Sequence, residues 1–505
     1  MLNLKNNHYV NRTVLISAIL VMASARLLAQ NPSDFWLDSS NPALIRQDTS
    51  VSRTASAELY SSISTGGFHQ TWEAPLSWNA GARTHALVHF KDISLAGSFA
   101  FDQMQGNQMC GSMMVRPGYY PVDVLEFTPG KKNRQTYSFT GAISADISTH
   151  WRIGVGIDFT SANYSKRKDL RHSNYFLDLN FSPGFVWHDG DISVGANLRI
   201  GKNSDTPVAN QIGSKETFDA FLDKGLMFGR LEIWDGSGVH LADAGSTGFP
   251  IREMIYGAGF QFQKKQLYSS LDYGYAVGLA GEKQQVWFRF PSHNLKLDLG
   301  GTVCSPGESH SIRFKADWKG LDNNENVLDK YTDGGITYYK KVASIPILHY
   351  DNVGIAASYV FEDGSNHISA ELSEEFRATS SFVMYPFVTE RFTEFTTIEV
   401  HYIRTLKRFD LGVLLGCRRG SVKETQRQSA EDSGVVGEPF RLTQWDEKEV
   451  EWIRAPRLKA GIDAKCRIWR GMYLKVDAGY VRAFGISALE GPNRFHGEFS
   501  IGYNF

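Results

Sequence analysis

From about Arg53 to the last residue the chain repeats one grammar: segments of about ten residues that alternate apolar and polar, separated by Gly, Asn, Asp and Ser turns. Ile153, Val155, Ile157 and Phe159 alternate with Arg152, Gly154, Gly156 and Asp158. Ile192, Val194, Ala196, Leu198 and Ile200 stand against Ser193, Gly195, Asn197 and Arg199. The same phase returns in Leu295, Leu297 and Leu299, in Ile312, Phe314, Ala316 and Trp318, and in Met472, Leu474, Val476 and Ala478. A period of two places successive side chains on opposite faces of a strand, so each segment has one apolar face and one that mixes charge with Gly and Ser. No stretch of helical periodicity is long enough to compete with this pattern.

A soluble sandwich would alternate too, so other features must separate the two. The segments run near ten residues, the length a tilted strand needs to cross a bilayer, where soluble strands average five or six. Aromatics gather near strand ends, as in Tyr273 and Tyr275, Trp287 and Phe290, and Tyr480 and Phe484, which suits interfacial girdles. Long polar loops alternate with very short turns. In the final segment Phe495, Phe499, Ile501, Tyr503 and Phe505 share one face, while Arg494, His496, Glu498, Ser500, Gly502 and Asn504 share the other. The fold class expected is all-β: a transmembrane antiparallel β-barrel with long extracellular loops and short periplasmic turns.

If Phe505 ends in the periplasm, orientation can be worked backward. Residues 482–492, 419–454 and 319–352 become outer loops and 467–470 a periplasmic turn. Working forward, 103–134 and 163–173 become outer loops joined by turns near Thr149 and Asp189. The halves agree if 202–252 holds one additional strand, near Leu226 to Trp234. The count is then about 18, with 16 to 20 allowed, and even for closure.

Composition narrows the class further. The 505 residues carry 53 Lys and Arg against 54 Asp and Glu, so neither a nucleic-acid surface nor an acidic tail is expected. Aromatics reach 13%. No continuous apolar span of about 20 residues exists, which excludes a multi-helix membrane protein. The one long apolar run is N-terminal: Lys5 and Arg12 precede an apolar stretch, Thr13 to Ala23, followed by small residues. This reads as a signal peptide over 1–29, cleaved after Ala25 or Ala29 and exported by the Sec pathway. Residues 30–52 read as a periplasmic segment or small plug, and 53–505 as the barrel of a Gram-negative outer membrane.

Four cysteines remain, Cys110, Cys304, Cys417 and Cys466, at spacings that make no zinc motif. The expected orientation puts Cys417 and Cys466 about 30 Å apart along neighbouring strands, which excludes a disulfide between them. His85 and His89 share a strand face but lie about 13 Å apart, so no metal site is expected there, with or without His69. No nucleophile elbow, phosphate loop or dinucleotide fingerprint occurs in a supporting context, and neither an enzyme nor a cofactor is expected.

The chemistry that remains is that of the lumen. Its candidate polar wall consists of Arg152, Asp158, Asp178 and Arg199 in the first half. The middle supplies Lys296, Asp298, Arg313, Lys315 and Asp317, and the C-terminal strands supply Lys459, Asp463, Lys475, Asp477 and Glu498. These residues either screen a permeating solute or pair across strands and fill the lumen, and their mixed signs argue against strong anion or cation selectivity.

Three resemblances add to this reading. The terminal pattern Phe499, Ile501, Tyr503 and Phe505 resembles the signature read by the barrel-assembly machinery, which implies that machinery and outer-membrane lipid as partners. Trp36, Asn41-Pro42-Ala43, the stretch Arg167-Lys168-Asp169 leading to Ser182-Pro183-Gly184, and the terminal strand resemble uncharacterised large outer-membrane barrels of bacteria rich in TonB-dependent receptors. A weaker resemblance, through Asn-Pro-Ala, is to the outer-membrane long-chain fatty-acid transporters. These readings imply a channel or transporter for a small or hydrophobic solute. The alternative is a non-conducting surface barrel whose long loops bind a ligand or a partner such as a TonB-dependent receptor. A membrane-embedded hydrolase comes last.

Overall fold

The computed structural model describes residues 39–46, 53–210, 218–234, 248–283, 285–384, 387–426 and 441–505. The proposed signal peptide and most of 30–52 lie outside the described residues.

Among the described residues a short 3-10 turn, η1 (Pro42–Arg46), precedes twenty strands. The first seven are β1 (Arg53–Thr65), β2 (Leu76–His89), β3 (Ile93–Ser112), β4 (Asp123–Asp146), β5 (Trp151–Lys166), β6 (Arg171–Asp189) and β7 (Ile192–Asn210). A small hairpin follows, β8 (Phe218–Asp223) and β9 (Gly229–Trp234). The middle strands are β10 (Ile251–Lys264), β11 (Leu267–Glu282), β12 (Gln285–Ser305), β13 (Glu308–Asp333), β14 (Ile336–Glu362) and β15 (Asn366–Met384). The last are β16 (Phe387–Thr405), β17 (Phe409–Gln426), β18 (Arg457–Trp469), β19 (Met472–Ala483) and β20 (Asn493–Asn504), with one helix, α1 (Thr443–Arg454), before β18.

Each wall strand pairs antiparallel with its neighbours, β7 pairs with β10, and β20 pairs with β1, which closes an 18-strand barrel. Closure runs through the terminal strand: Phe499 stands opposite Ser61 and Tyr503 opposite Ala57 in β1, and the Phe505 N–H donates to the Ala55 carbonyl at 2.9 Å. Turns of two to four residues join strands at the end that holds both described chain ends; at the other end the connections range from two residues, as between β13 and β14, to thirty, between β17 and β18. These are called the turn end and the loop end below.

The outward face is apolar through the lower half of the wall. Trp151, Ile153, Val155 and Ile157 of β5 are exposed, as are Leu198 and Ile200 of β7 and Leu295 and Leu299 of β12. The residues between them face inward, where Arg152 is buried. A closed barrel satisfies every wall backbone group internally, so an apolar outer belt of this kind is the surface a bilayer covers.

Four expectations need correction. Residues 103–134 and 319–352 are not loops in the main: β3 and β4 run to Ser112 and from Asp123, and β13 and β14 run to Asp333 and from Ile336. The wall continues past the lipid belt, so strands are longer than ten residues. Among the described residues the stretch 202–252 adds no wall strand between β7 and β10; residues 229–234 do form β9, but in a hairpin whose β8 pairs with residues 123–126 of β4. The two halves of the chain agree in direction without it. A helix also exists within 419–454, where none was expected. Finally, Phe290 is 1% exposed and belongs to an internal apolar cluster that Trp287 packs against, so these two are not girdle residues.

Candidate functional site

The lumen is built in three levels. At the turn end the segment 39–46 lies against the inner wall. Asn41 is its anchor: its side-chain amide donates to the carbonyls of Phe185 (3.1 Å) and Ala196 (3.3 Å) and to Gln261 Oε1 (2.9 Å), and its Oδ1 accepts from the Ala43 N–H. That last bond caps the turn, whose proline supplies a helix-compatible φ at its first residue. Ser144 donates to the Ala43 carbonyl at 2.9 Å, and Arg46 reaches Asp146 at 2.5 Å and the Phe90 carbonyl at 3.0 Å. Two glycines paired across β5 and β6, Gly154 and Gly184, make room. A Cβ on Gly154 would lie 2.4 Å from the Ala43 nitrogen, and one on Gly184 2.1 Å from Asn41 Oδ1. The Asn41-Pro42-Ala43 and Ser182-Pro183-Gly184 motifs, far apart in sequence, thus meet here.

At the loop end the connections fold inward as a cap. Residues 113–122 are pinned to the wall at several points. The Val115 N–H donates to Asp205 Oδ2 (2.8 Å), Tyr119 Oη to Glu253 (3.0 Å) and Tyr120 Oη to Asn203, while Arg116 pairs with Asp178 (2.9 Å). The β8–β9 hairpin leaves β4 and reaches β13 through Lys224 and Glu325 (2.7 Å), seven strands round the ring. Met113, Met114, Leu222, Phe288 and Phe290 form one buried cluster beneath these segments. Helix α1 joins from the far side: Phe228 bridges to Arg441, and Asp446 of the helix pairs with Arg391 of β16 at 2.8 Å. Under the cap's edge Glu126 takes Lys132 on one oxygen (3.0 Å) and Lys166 on the other (2.5 Å), all three side chains fully buried. Lys132 also donates to the Ser112 carbonyl at 3.0 Å, which ties this cluster to the start of the cap loop. Burial holds the neighbouring His172 well below its ordinary pKa and therefore neutral.

Between the 39–46 segment and the cap lies a polar chamber of about 670 Å³ against β11–β14. Ser39 and Ser40 form its floor, and Lys319, stacked over the Tyr119 ring at 5.1 Å, reaches the cap. Its wall holds five of the expected lumen residues, Lys296, Asp298, Arg313, Lys315 and Asp317. Asp298 and Arg313 pair at 2.5 Å; Lys296, Lys315 and Asp317 have no ion-pair partner among the described residues.

The remaining expected residues fall elsewhere. Arg152 pairs with Asp146 beside Arg46 (2.9 Å), at the 39–46 segment. Asp178 holds the cap through Arg116, Asp158 lies near it, and Arg199 lies flat over Gly257 and Gly274, its guanidinium nitrogens 3.2–3.3 Å from where their Cβ atoms would be. On β16–β20 the side chains have partners: Lys459 pairs with Glu399 (2.9 Å), Asp463 lies 2.7 Å from His401 Nε2, Lys475 pairs with Asp477 (3.0 Å) and Glu498 with Arg83 of β2 (2.8 Å). Cys417 and Cys466 are eight register positions apart on β17 and β18. Asn41, Arg46, Glu126, Lys132, Lys166 and Asp205 were not expected from sequence. Only Asn41 carried a signal, its place in the Asn-Pro-Ala motif.

A family model described as a family of unknown function, DUF6850, matches residues 42–505, from the η1 turn to the terminal strand. The chain belongs to this family. No curated protein matches it. Among solved structures the chain is similar to a mutant of the ferric enterobactin receptor PfeA of Pseudomonas aeruginosa, at 9% identity and a TM-score of 0.39, with 90% of this chain and 81% of that chain covered. The siderophore receptor PiuA of Acinetobacter baumannii gives 7% identity and a TM-score of 0.40, over 89% of this chain and 82% of that one. The outer membrane protein opdK of Pseudomonas aeruginosa gives 9% and 0.31, over 90% and 98%.

Proposed function

We propose that this DUF6850 barrel is a gated outer-membrane transporter of a small polar solute, with its loop end outside the cell. The chamber carries the reading: a polar space whose Lys296, Lys315 and Asp317 have no ion-pair partner among the described residues, lying between a plug segment and a pinned cap. Such a lining offers charge-assisted hydrogen bonds of both signs and little apolar surface, which favours a polar solute over a hydrophobic one. The cap separates this reading from an open pore, because its apolar cluster and its pins bridge the mouth. The terminal residues Phe499, Ile501, Tyr503 and Phe505 support delivery by the barrel-assembly machinery.

Planar bilayers test this. The intact chain should show no long-lived open steps, and a variant lacking residues 114–121 should conduct. The milder Arg116→Ala/Tyr119→Phe variant, which releases two pins without shortening the chain, should open intermittently. Stable open steps in the intact chain would refute gating. Silence in both variants, once both are shown to be folded, would favour a second reading, a non-conducting surface barrel. One observation speaks for that second reading: β13 and β14 pair beyond the wall as a ribbon that exposes Val327, Tyr331, Tyr338 and Val342.

A further inference from the structure

The outer surface of β3, β4 and β5 is ordered by height. From the turn end upward, the outward positions are aliphatic and then aromatic: Leu95, Ile143 and Val155 in one row, then Phe99 beside Phe139, then Phe101 beside Tyr137. The next outward row is Gln103, Gln135 and Asn163, in direct register, and the one above it is Gln105, Asn133 and Ser165. Above these stand Lys131 and Arg167, both exposed. The rows enclose a groove of about 410 Å³ on the outside of the barrel. It faces away from the lumen, since Met104, Ala162 and Tyr164, the positions between these residues, are buried on the inner side.

Four of the five amides, Gln105, Asn133, Gln135 and Asn163, make no side-chain hydrogen bond among the described residues, and neither Lys131 nor Arg167 has an acidic partner there. An amide ladder offers donors and acceptors together, as hydroxyl-rich rings require, while Lys and Arg suit phosphate. The amide rows begin about 7 Å along the strands above the aromatic row, at the level where a bilayer's headgroups meet the protein.

We propose that this groove is a binding site for the headgroup of a phosphorylated glycolipid of the surrounding outer leaflet, its acyl chains lying on the apolar rows below. The sugar sits on the amides, and a phosphate on Lys131 and Arg167. The occupant is lipid rather than a free sugar phosphate because the groove is continuous with the lipid-covered belt and opens onto it. The site is independent of what the lumen carries.

The test uses the full chain in nanodiscs containing a bis-phosphorylated acylated glucosamine disaccharide, phosphatidylglycerol and an uncharged diacyl glycolipid, with retained lipids counted by native mass spectrometry. The phosphorylated glycolipid should be retained over the other two. Lys131→Glu/Arg167→Glu should cut that retention about tenfold, the loss of two charge-assisted contacts at an exposed site. Lys407→Glu/Arg408→Glu at the turn end should leave it unchanged. Gln105→Leu/Asn133→Leu keeps the charges and should abolish preference over phosphatidylglycerol. Equal retention of phosphatidylglycerol by the intact chain, or unchanged retention in a folded Lys131/Arg167 variant, would overturn the site.

Discussion

Replacing Gly184 by alanine should release the plug segment, and the size of the effect can be worked from its contacts. The new Cβ would lie 2.1 Å from Asn41 Oδ1, where ordinary contact begins near 3.4 Å, so the Asn41 side chain must retreat by more than 1 Å. Its bonds to Phe185, Ala196 and Gln261, at 2.9–3.3 Å, do not survive that shift. Two amide donors shared among three acceptors, plus the turn cap, are together worth about 2–3 kcal/mol. The equilibrium for lifting the segment therefore moves about 30- to 150-fold. Ala43 is fully buried against the wall and reports on this. With the four native cysteines replaced by serine, Ala43→Cys should react slowly with a membrane-impermeant maleimide. Adding Gly184→Ala should raise that rate about 30- to 150-fold at unchanged barrel stability, because local opening sets access when reclosing is fast. A rate within about threefold of the parent would show that the Gly154–Gly184 seat does not hold the segment, and the plug assignment would fall with it.

Two further predictions concern the cap. Glu126→Gln leaves Lys132 and Lys166 buried without a carboxylate, a change that costs about 3–5 kcal/mol. The temperature at which the folded barrel converts to the unfolded gel form should drop clearly, and chymotrypsin should begin to cut after Tyr119; an unchanged midpoint would refute a structural role for the cluster. At the mouth, Asp123 and Asp223 stand opposite each other in register, and removal from bulk water pushes them up to about 7 and about 8. Glu449 and Asp446 of α1 add like charge, and Arg377 lines the same pocket. Both acids have raised values in the closed cap, so the unfolded reference ionises first, and the cap weakens as pH rises from about 4 to about 8. Chymotryptic cleavage after Tyr119, scaled at each pH to the rate on an unfolded substrate, should increase from pH 5 to 9, and Asp223→Asn should flatten the rise; a scaled rate flat with pH in the parent would exclude these two carboxylates as the cause.

Where lipid sets the rule, the fold was legible. A residue on the outside of the wall must be apolar within the bilayer, so Ile153 to Ile157 and Leu295 to Leu299 announce their strands, and the terminal aromatics announce closure. The cap was not legible, because its contacts depend on which distant strands the ring brings together. Asp205 holds Val115 across ninety residues, and Lys224 finds Glu325 across a hundred and one. Neither the sign nor the spacing of these charges marks them apart from residues that simply pair, as Lys459 and Glu399 do.

One sequence signal was present and went unused: the apolar phase inverts along single strands. In β12 the apolar positions are outward at Leu295, Leu297 and Leu299 but inward at Phe288 and Phe290, which are buried. In β5 they are outward from Trp151 to Ile157 and inward at Ala162 and Tyr164; in β3 they are outward at Leu95 and Phe99 and inward at Met104. The inversion has one physical cause. Within the bilayer the outside is hydrocarbon and the lumen holds polar groups, whereas above it the outside is water and the inside is packed with folded-in loops. The level at which the phase flips therefore marks the upper edge of the membrane. On β3–β5 that level coincides with the first amide row, Gln103, Gln135 and Asn163. The cap consequently stands in water outside the bilayer, where its hold on the mouth follows the burial and pairing energetics of a soluble protein, and titration or the loss of a single pin can open it while the belt below stays closed.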